Sequence, residues 1–126
     1  MKFQPDSLAG TNTISRHERG VIWINGTRWA GSVLVPWRGD VQPWPLDTLA
    51  TLGASHFECV LALKPELVIF GSGERLQFVS PAFYRSLIEA RIGIETMDTA
   101  AACRTFNVLA SEGRSVVAAL LVPAGP

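Results

Sequence analysis

From residue 67 onward the chain alternates short apolar runs with capped helical stretches, and that rhythm restricts the fold more than any other feature. Leu67-Val68-Ile69-Phe70 is continuously apolar, as suits a strand covered on both faces. Ser80-Pro81 offers an N-cap and an N1 proline for a helix through about Ala90, with Phe83 and Leu87 on one face. Ile94-Glu95-Thr96-Met97 reads as a short strand, and Asp98 then caps a helix to about Glu112 that stops at Gly113. Ser115 to Val122 is apolar and β-branched and closes the chain as a strand. Strands joined through single helices run parallel, with right-handed crossovers. The expected core is therefore α/β, three roughly parallel strands with helical crossovers in the order βαβαβ.

The first half adds an antiparallel β-hairpin layer. Val21-Ile22-Trp23-Ile24 and Thr27-Arg28-Trp29-Ala30 flank Asn25-Gly26, a dipeptide suited to the two positive-φ positions of a type I′ turn. The two-residue loop sets Ile24 opposite Thr27, Trp23 opposite Arg28 and Ile22 opposite Trp29. Ile22 and Trp29 then share one face, while Trp23 and Arg28 are placed for a cation–π pair on the other. The second strand is expected to continue through Val33-Leu34-Val35 and stop at Pro36. A Pro- and Gly-containing loop to Pro45 follows. Asp47 is expected to cap a short helix ending near Gly53, and Ser55-His56-Phe57-Glu58 has the pattern of a capping box. That second helix should end before Lys64-Pro65. Residues 1–19 are polar and aperiodic, an irregular or weakly held edge segment. With no repeat, linker or low-complexity tract, residues 1–126 read as a single domain.

Composition removes several classes of function. A chain of 126 residues with 48% hydrophobic and 17% charged residues can build a real core. Eleven basic residues balance eleven acidic ones without a Lys/Arg cluster, so the footprint of a nucleic-acid binder is missing. No apolar run reaches the roughly 18–20 residues of a transmembrane helix, and Met1-Lys2-Phe3-Gln4-Pro5-Asp6 is neither a signal nor a transit peptide. Cys59 and Cys103 lie far apart, which fits reduced thiols in a cytoplasm.

No catalytic constellation stands out. Gly71-Ser72-Gly73 follows a buried strand, as a phosphate-cradling turn does, but the third glycine and the immediate helix are missing. A tight turn needing positive φ accounts for it more simply. Cys103 borders an apolar helical stripe, and the two histidines, His17 and His56, sit in no partner motif, so a small buried hydrophobe is the simpler reading than a nucleophile. Two histidines and two cysteines without close spacing make no metal cluster, and no cofactor motif is present. Arg104 and Asn107 lie on the polar face of the long helix, where solvation alone explains them. Trp37 and Trp44 share one short loop, either folded over the sheet or serving as an anchor for a partner protein. If a ligand binds, the crevice where parallel strands end is its place. Gly71, Ser72, Gly73, Asp98 and Thr99 bound that crevice, with Cys103, Arg104 and Asn107 further along the helix. Because Asp98 would occupy the helix amides itself, phosphate affinity there should be weak or nil.

Glu95-Thr96-Met97-Asp98-Thr99-Ala100-Ala101-Ala102-Cys103-Arg104-Thr105-Phe106-Asn107, continuing through Leu109, Glu112-Gly113-Arg114 and Ala118-Ala119-Leu120, resembles a family of small α/β domains of unknown biochemical activity. That family includes the mitochondrial complex I assembly factor 3. Pro65-Glu66, Gly71-Ser72-Gly73 and the Asn25-Gly26 hairpin extend the resemblance over nearly everything after about residue 14. The resemblance implies an α/β fold with an added hairpin layer. It also implies a non-catalytic role in protein assembly, with a protein partner such as a respiratory-complex subunit or another assembly factor. It gives Arg104 and Asn107 a possible functional role. The targeting extension of the mitochondrial members is not seen, which points to a bacterial, cytoplasmic member. The competing expectation is a small-molecule binder or enzyme using the strand-end crevice.

Overall fold

The computed structural model describes residues 10–123. Among the described residues, eight strands form two sheets. Strands β1 (Ile14–Glu18), β2 (Val21–Ile24) and β3 (Thr27–Ala30) make an antiparallel three-stranded sheet. Strands β4 (Val33–Pro36), β5 (Gln42–Pro43), β6 (Leu67–Gly71), β7 (Gly93–Met97) and β8 (Val116–Leu120) make a five-stranded sheet in the order β5-β4-β8-β6-β7. Within it β6 runs parallel to β7 and β8, while β4 runs antiparallel to β5 and β8. Three α-helices accompany the sheets: α1 (Ala54–Glu58), α2 (Arg85–Glu89) and α3 (Thr99–Ser111). The result is a mixed α/β fold in layers.

Alternation along the central strands divides the core in two. Val116, Ala118 and Leu120 of β8, with Ile69 of β6 and Val33 and Val35 of β4, face one side. There they meet Ala102, Cys103, Phe106 and Ala110 of α3 and the inward residues Ile14, Ile22 and Ile24 of the small sheet. Val117, Ala119, Val68, Phe70 and Leu34 face the other side, against Phe57 of α1, Val60, Leu87 of α2, Trp44 and Leu46. Period-two alternation on a sheet covered on both faces demands such continuous apolar strands.

The hairpin closes through Asn25 (φ 54°) and Gly26 (φ 83°), with Ile22 opposite Trp29, Trp23 opposite Arg28 and Ile24 opposite Thr27. The Asn25 carboxamide does more than turn the chain. Its Oδ1 accepts from the Thr13 N–H at 2.9 Å, and its Nδ2 donates to Asn12 Oδ1 at 2.8 Å. Asn12 Nδ2 in turn donates to the carbonyls of Pro36 and Gly39. The hairpin tip is thereby tied to the start of the following loop.

Four local expectations are corrected. The hairpin's second strand does not run on into Val33-Leu34-Val35: Gly31, at φ 88°, turns the chain out of the small sheet, and β4 joins the large one beside β8. The guanidinium over Trp23 is that of Arg16 on β1, 4.6 Å from the ring, rather than Arg28. Asp47 caps nothing, because the turn that follows is a 3₁₀ segment at Leu49–Thr51 entered at Thr48. Ser55 and Glu58 form no capping box either. Gly53 is the N-cap, and its N–H donates to His56 Nδ1 at 3.0 Å. His56 Nε2 reaches the Pro45 carbonyl at 2.8 Å, so one neutral tautomer satisfies both contacts.

Residues 14–18, expected to be loosely held, are strand β1. Its first residue is clasped by α3: Asn107 Oδ1 accepts from the Ile14 N–H, and Asn107 Nδ2 donates to the Ile14 carbonyl, both at 2.8 Å. The Asp98 and Ser80 caps form, accepting from the amides of Ala101 and Ala82. The expectation for residues 1–9 lies outside the described residues.

Candidate functional site

Strands β6 and β7 are parallel neighbours, so Gly71-Ser72-Gly73 and Asp98-Thr99 emerge at the same edge of the sheet. They are knitted to each other there. The Ser72 N–H donates to the Met97 carbonyl at 2.8 Å, and the Thr99 N–H to the Gly73 carbonyl at 2.9 Å. Thr99, 2% exposed, uses its hydroxyl twice: Oγ1 accepts from the Gly73 N–H and donates to the Leu121 carbonyl. Gly71 permits this approach, since a Cβ there would stand 3.0 Å from Thr99 Cα and Oγ1 and from Leu120 Cδ2. Gly73, at φ 109°, needs a backbone that side chains rarely allow.

Two adjoining hollows flank this knot, sharing Gly73, Glu74, Leu121 and Pro123. The first, about 520 Å³, is bounded by His17–Gly20, Gly73, Glu74, Thr99 and residues 121–123. An exposed ion pair lies on its wall, Arg19 Nη2 to Glu74 Oε2 at 2.7 Å. The second, about 410 Å³, lies on the side of Ser72, Arg75, Gln77 and Asp47–Leu49. Asp98 lines neither; its carboxylate is taken by the Ala101 amide. With the Thr99 amide given to Gly73 as well, the helix terminus has little left for an anion. Burial lowers the basicity of His17, and the nearby Asp98 charge partly restores it.

Cys103, Arg104 and Asn107 belong to a third hollow, about 250 Å³, which they share with Ala100 and residues 14–17. The sequence-selected residues therefore fall into separate groups. Cys103 is buried, and desolvation pushes its thiol up to about 12, the reverse of an activated nucleophile. Asn107 is occupied by the Ile14 clasp. Among the described residues no three His, Cys, Asp or Glu side chains gather as metal ligands.

The tryptophan loop is largely structural. Trp44 is 2% exposed, its Nε1 donates to the His56 carbonyl at 2.9 Å, and its ring meets Phe57 and Phe70 edge-on. Its use as a partner anchor is corrected, because it fills the core between the large sheet and α1. Trp37 is half-buried against the other core, with the Arg38 guanidinium 4.7 Å from its ring. Among the described residues the exposed large apolar side chains are Ile88 on α2, Val108 on α3 and two on the loop after β6. Phe78 is 77% exposed and Leu76 51%, on the loop after β6. Ser72 Oγ braces that loop, donating to the Arg75 carbonyl and accepting from the Gln77 N–H. The sequence singles out neither Leu76 nor Phe78: they are apolar positions in a stretch with neither helical nor strand periodicity.

A mixed α/β domain whose long helix and small antiparallel sheet cover one face of a five-stranded sheet is the class that fold and site define. Residues 14–121 match the family described as "Protein of unknown function (DUF498/DUF598)", and the chain belongs to that family. It is similar to the bovine protein named NADH dehydrogenase [ubiquinone] 1 alpha subcomplex assembly factor 3, at 34% identity over 113 residues. That alignment takes in 88% of this chain and 60% of the bovine one, so the chain spans about three-fifths of that relative's length. Among solved structures it resembles a Bordetella parapertussis protein (TM-score 0.84, 36% identity, 90% of this chain and 97% of that one). It also resembles a Bordetella pertussis protein described as an Mth938-like domain (TM-score 0.83, 30% identity, 98% and 94%). Among the described residues no helix is long and apolar enough to cross a membrane.

Proposed function

We propose that this domain is a non-catalytic protein-interaction module serving the assembly of a respiratory membrane complex, acting from the cytoplasmic side of a bacterial cell. The observation that carries the reading is the contrast at the strand-end edge. Thr99, Ser72 and Asp98 spend their polar groups on internal hydrogen bonds, while Phe78 stands 77% exposed on the adjoining braced loop. A large apolar side chain held in water on a fixed loop suits a docking anchor more than a catalyst. The name of the bovine relative supplies the kind of assembly. The test is complementation: in cells lacking the gene, the level of assembled NADH dehydrogenase on native gels is compared after rescue with wild type and with the Leu76→Ser/Phe78→Ser variant. Rescue by wild type alone, with both proteins folded, supports the role. Normal assembly without the gene, or full rescue by the double variant, refutes it.

The hollow of about 520 Å³ favours a second reading, a small-molecule site bounded by His17, Thr99 and the Arg19–Glu74 pair. A saturable, ligand-driven rise in melting temperature, abolished when Arg19 and Glu74 are both replaced, would move the function there.

A further inference from the structure

Among the described residues, three of the four sheet edges are blunted in ordinary ways. β5 is two residues long and ends in Pro43, β1 carries a register shift between Ile14 and Arg16, and β3 is only four residues long. β7 differs. It is five residues long, pairs with β6 from Gly93 to Met97 without a register break, and contains neither proline nor lysine.

In a parallel ladder, alternate residues aim both backbone groups at the same neighbour. The Gly93 N–H donates to the Glu66 carbonyl at 3.2 Å, and the Met97 carbonyl accepts from the Ser72 N–H at 2.8 Å. Gly93, Glu95 and Met97 therefore face β6, while Ile94 and Thr96 turn their N–H and C=O groups outward. Each contributes one donor and one acceptor along the open edge. The side chains beside them are only half-buried, Ile94 against the core under α1 and α2 and Met97 against the core under α3. Another strand would cover both.

We propose that β7 is a docking edge to which an extended segment of a partner protein adds as an antiparallel strand, with a lysine or arginine opposite Glu95. This rests on the interaction-module reading and names the kind of partner it requires. Charge selects the occupant. A second copy using both Ile94 and Thr96 would pair Ile94 with the other copy's Thr96 and set Glu95 against Glu95. Side chains approach most closely at such a non-hydrogen-bonded site, so like charges there oppose self-pairing. A basic residue in the same place is attracted. The residues on either side of it would project on the face of Ile94 and Thr96, where β-branched apolar side chains fit.

The test uses the chain itself and an end-blocked peptide alternating threonine and valine about a central lysine, with a twin carrying glutamate at the centre. Titrated into the isotope-labelled domain, the lysine peptide should shift the amides of Ile94 and Thr96 and protect them from exchange. It should bind roughly five-fold more tightly than the glutamate twin. Glu95→Lys should reverse that preference. Thr96→Pro should abolish binding while sparing the β6–β7 ladder, which does not use that N–H; if it unfolds, the charge reversal still decides. Equal affinity for the two peptides, shifts centred on Leu76 and Phe78 with Ile94 and Thr96 silent, or no saturable binding would each overturn the proposal. None of these touches the complementation result, and failed complementation with intact peptide binding would refute the assembly role while leaving the edge standing.

Discussion

Asn107→Ala isolates the joint between α3 and the small sheet. The carboxamide makes two hydrogen bonds of 2.8 Å to the backbone of Ile14, which is itself buried. Each such bond contributes about 1 kcal/mol net, and a buried group left unpaired costs about 1–3 kcal/mol. Water reaching the edge of β1 relieves part of that penalty, so the expected loss is about 2–3 kcal/mol. An unfolding entropy of about 2.1 cal/mol/K per residue, over a chain of this length, converts each kcal/mol into about 4 °C. The expected fall in Tm is therefore about 8–12 °C. Urea unfolding supplies the free energy, and hydrogen exchange at Ile14 and along β1 separates local release from global loss. Asn107→Asp is the control of equal size: it can accept from the Ile14 N–H but sets an anionic oxygen against the Ile14 carbonyl, and should be at least as harmful at neutral pH. If Asn107→Ala stays within about 0.5 kcal/mol of wild type, the size of effect expected of an ordinary surface change, with Ile14 exchange unaltered, the clasp is not what holds β1.

Three further outcomes are expected. Thr99→Val, which keeps the shape but strands the Gly73 N–H and removes the donor to the Leu121 carbonyl, should cost about 2–4 kcal/mol by urea unfolding; a neutral result would mean the hydroxyl is dispensable to the knot. In the Cys59→Ala background, Cys103 should react with a thiol probe at neutral pH only as fast as the protein opens, because its thiol is held near 12; a rate above that of an unstructured peptide would refute this. Glu66, whose carboxyl is held below its ordinary 4.5 chiefly by the Arg114 hydrogen bond and then by the Ser115 N–H, contributes stability above the unfolded-state value. That contribution is lost as pH falls below about 4.5 through the depressed folded value, so Glu66→Gln should flatten this limb of the Tm–pH curve.

Features whose causes lie within a few residues were legible in the sequence. The Asn25-Gly26 turn, the Asp98 cap and the Ser80-Pro81 start each depend on neighbours at most three positions away. β4 was not legible, because Val33-Leu34-Val35 suits either sheet. Its assignment depends on pairing with Leu120, Ala119 and Ala118 far along the chain and on one positive-φ glycine at position 31. The capping pattern at Ser55 and Glu58 was sound chemistry in the wrong place, since a histidine ring nitrogen two residues after the true first helical residue did the glutamate's work. Whether Trp44 is folded over the sheet or serves as a surface anchor was not decided by the sequence, because its aromatic partners, Phe57 and Phe70, reach it only once α1 is laid on the large sheet.

The long helix shows why a strongly patterned segment need not be a site. α3 packs against β1, β6, β7 and β8, and so joins the small sheet to one face of the large one. That position makes demands on many of its residues. Asp98 must cap it, Thr99 must lock it to Gly73 and Leu121, and Ala102, Cys103 and Phe106 must fill the gap between layers. Asn107 must then bridge to a strand whose backbone would otherwise end unpaired. Each polar choice on this helix that seemed to suggest chemistry thus has a mechanical cause, apart from Arg104. Substitutions at Asp98, Thr99, Cys103, Phe106 or Asn107 would lower activity of any kind by loosening the domain, and could not separate function from folding. Leu76 and Phe78, exposed on a braced loop, and the outward Ile94–Thr96 edge allow that separation, because the core does not depend on what they present to solvent.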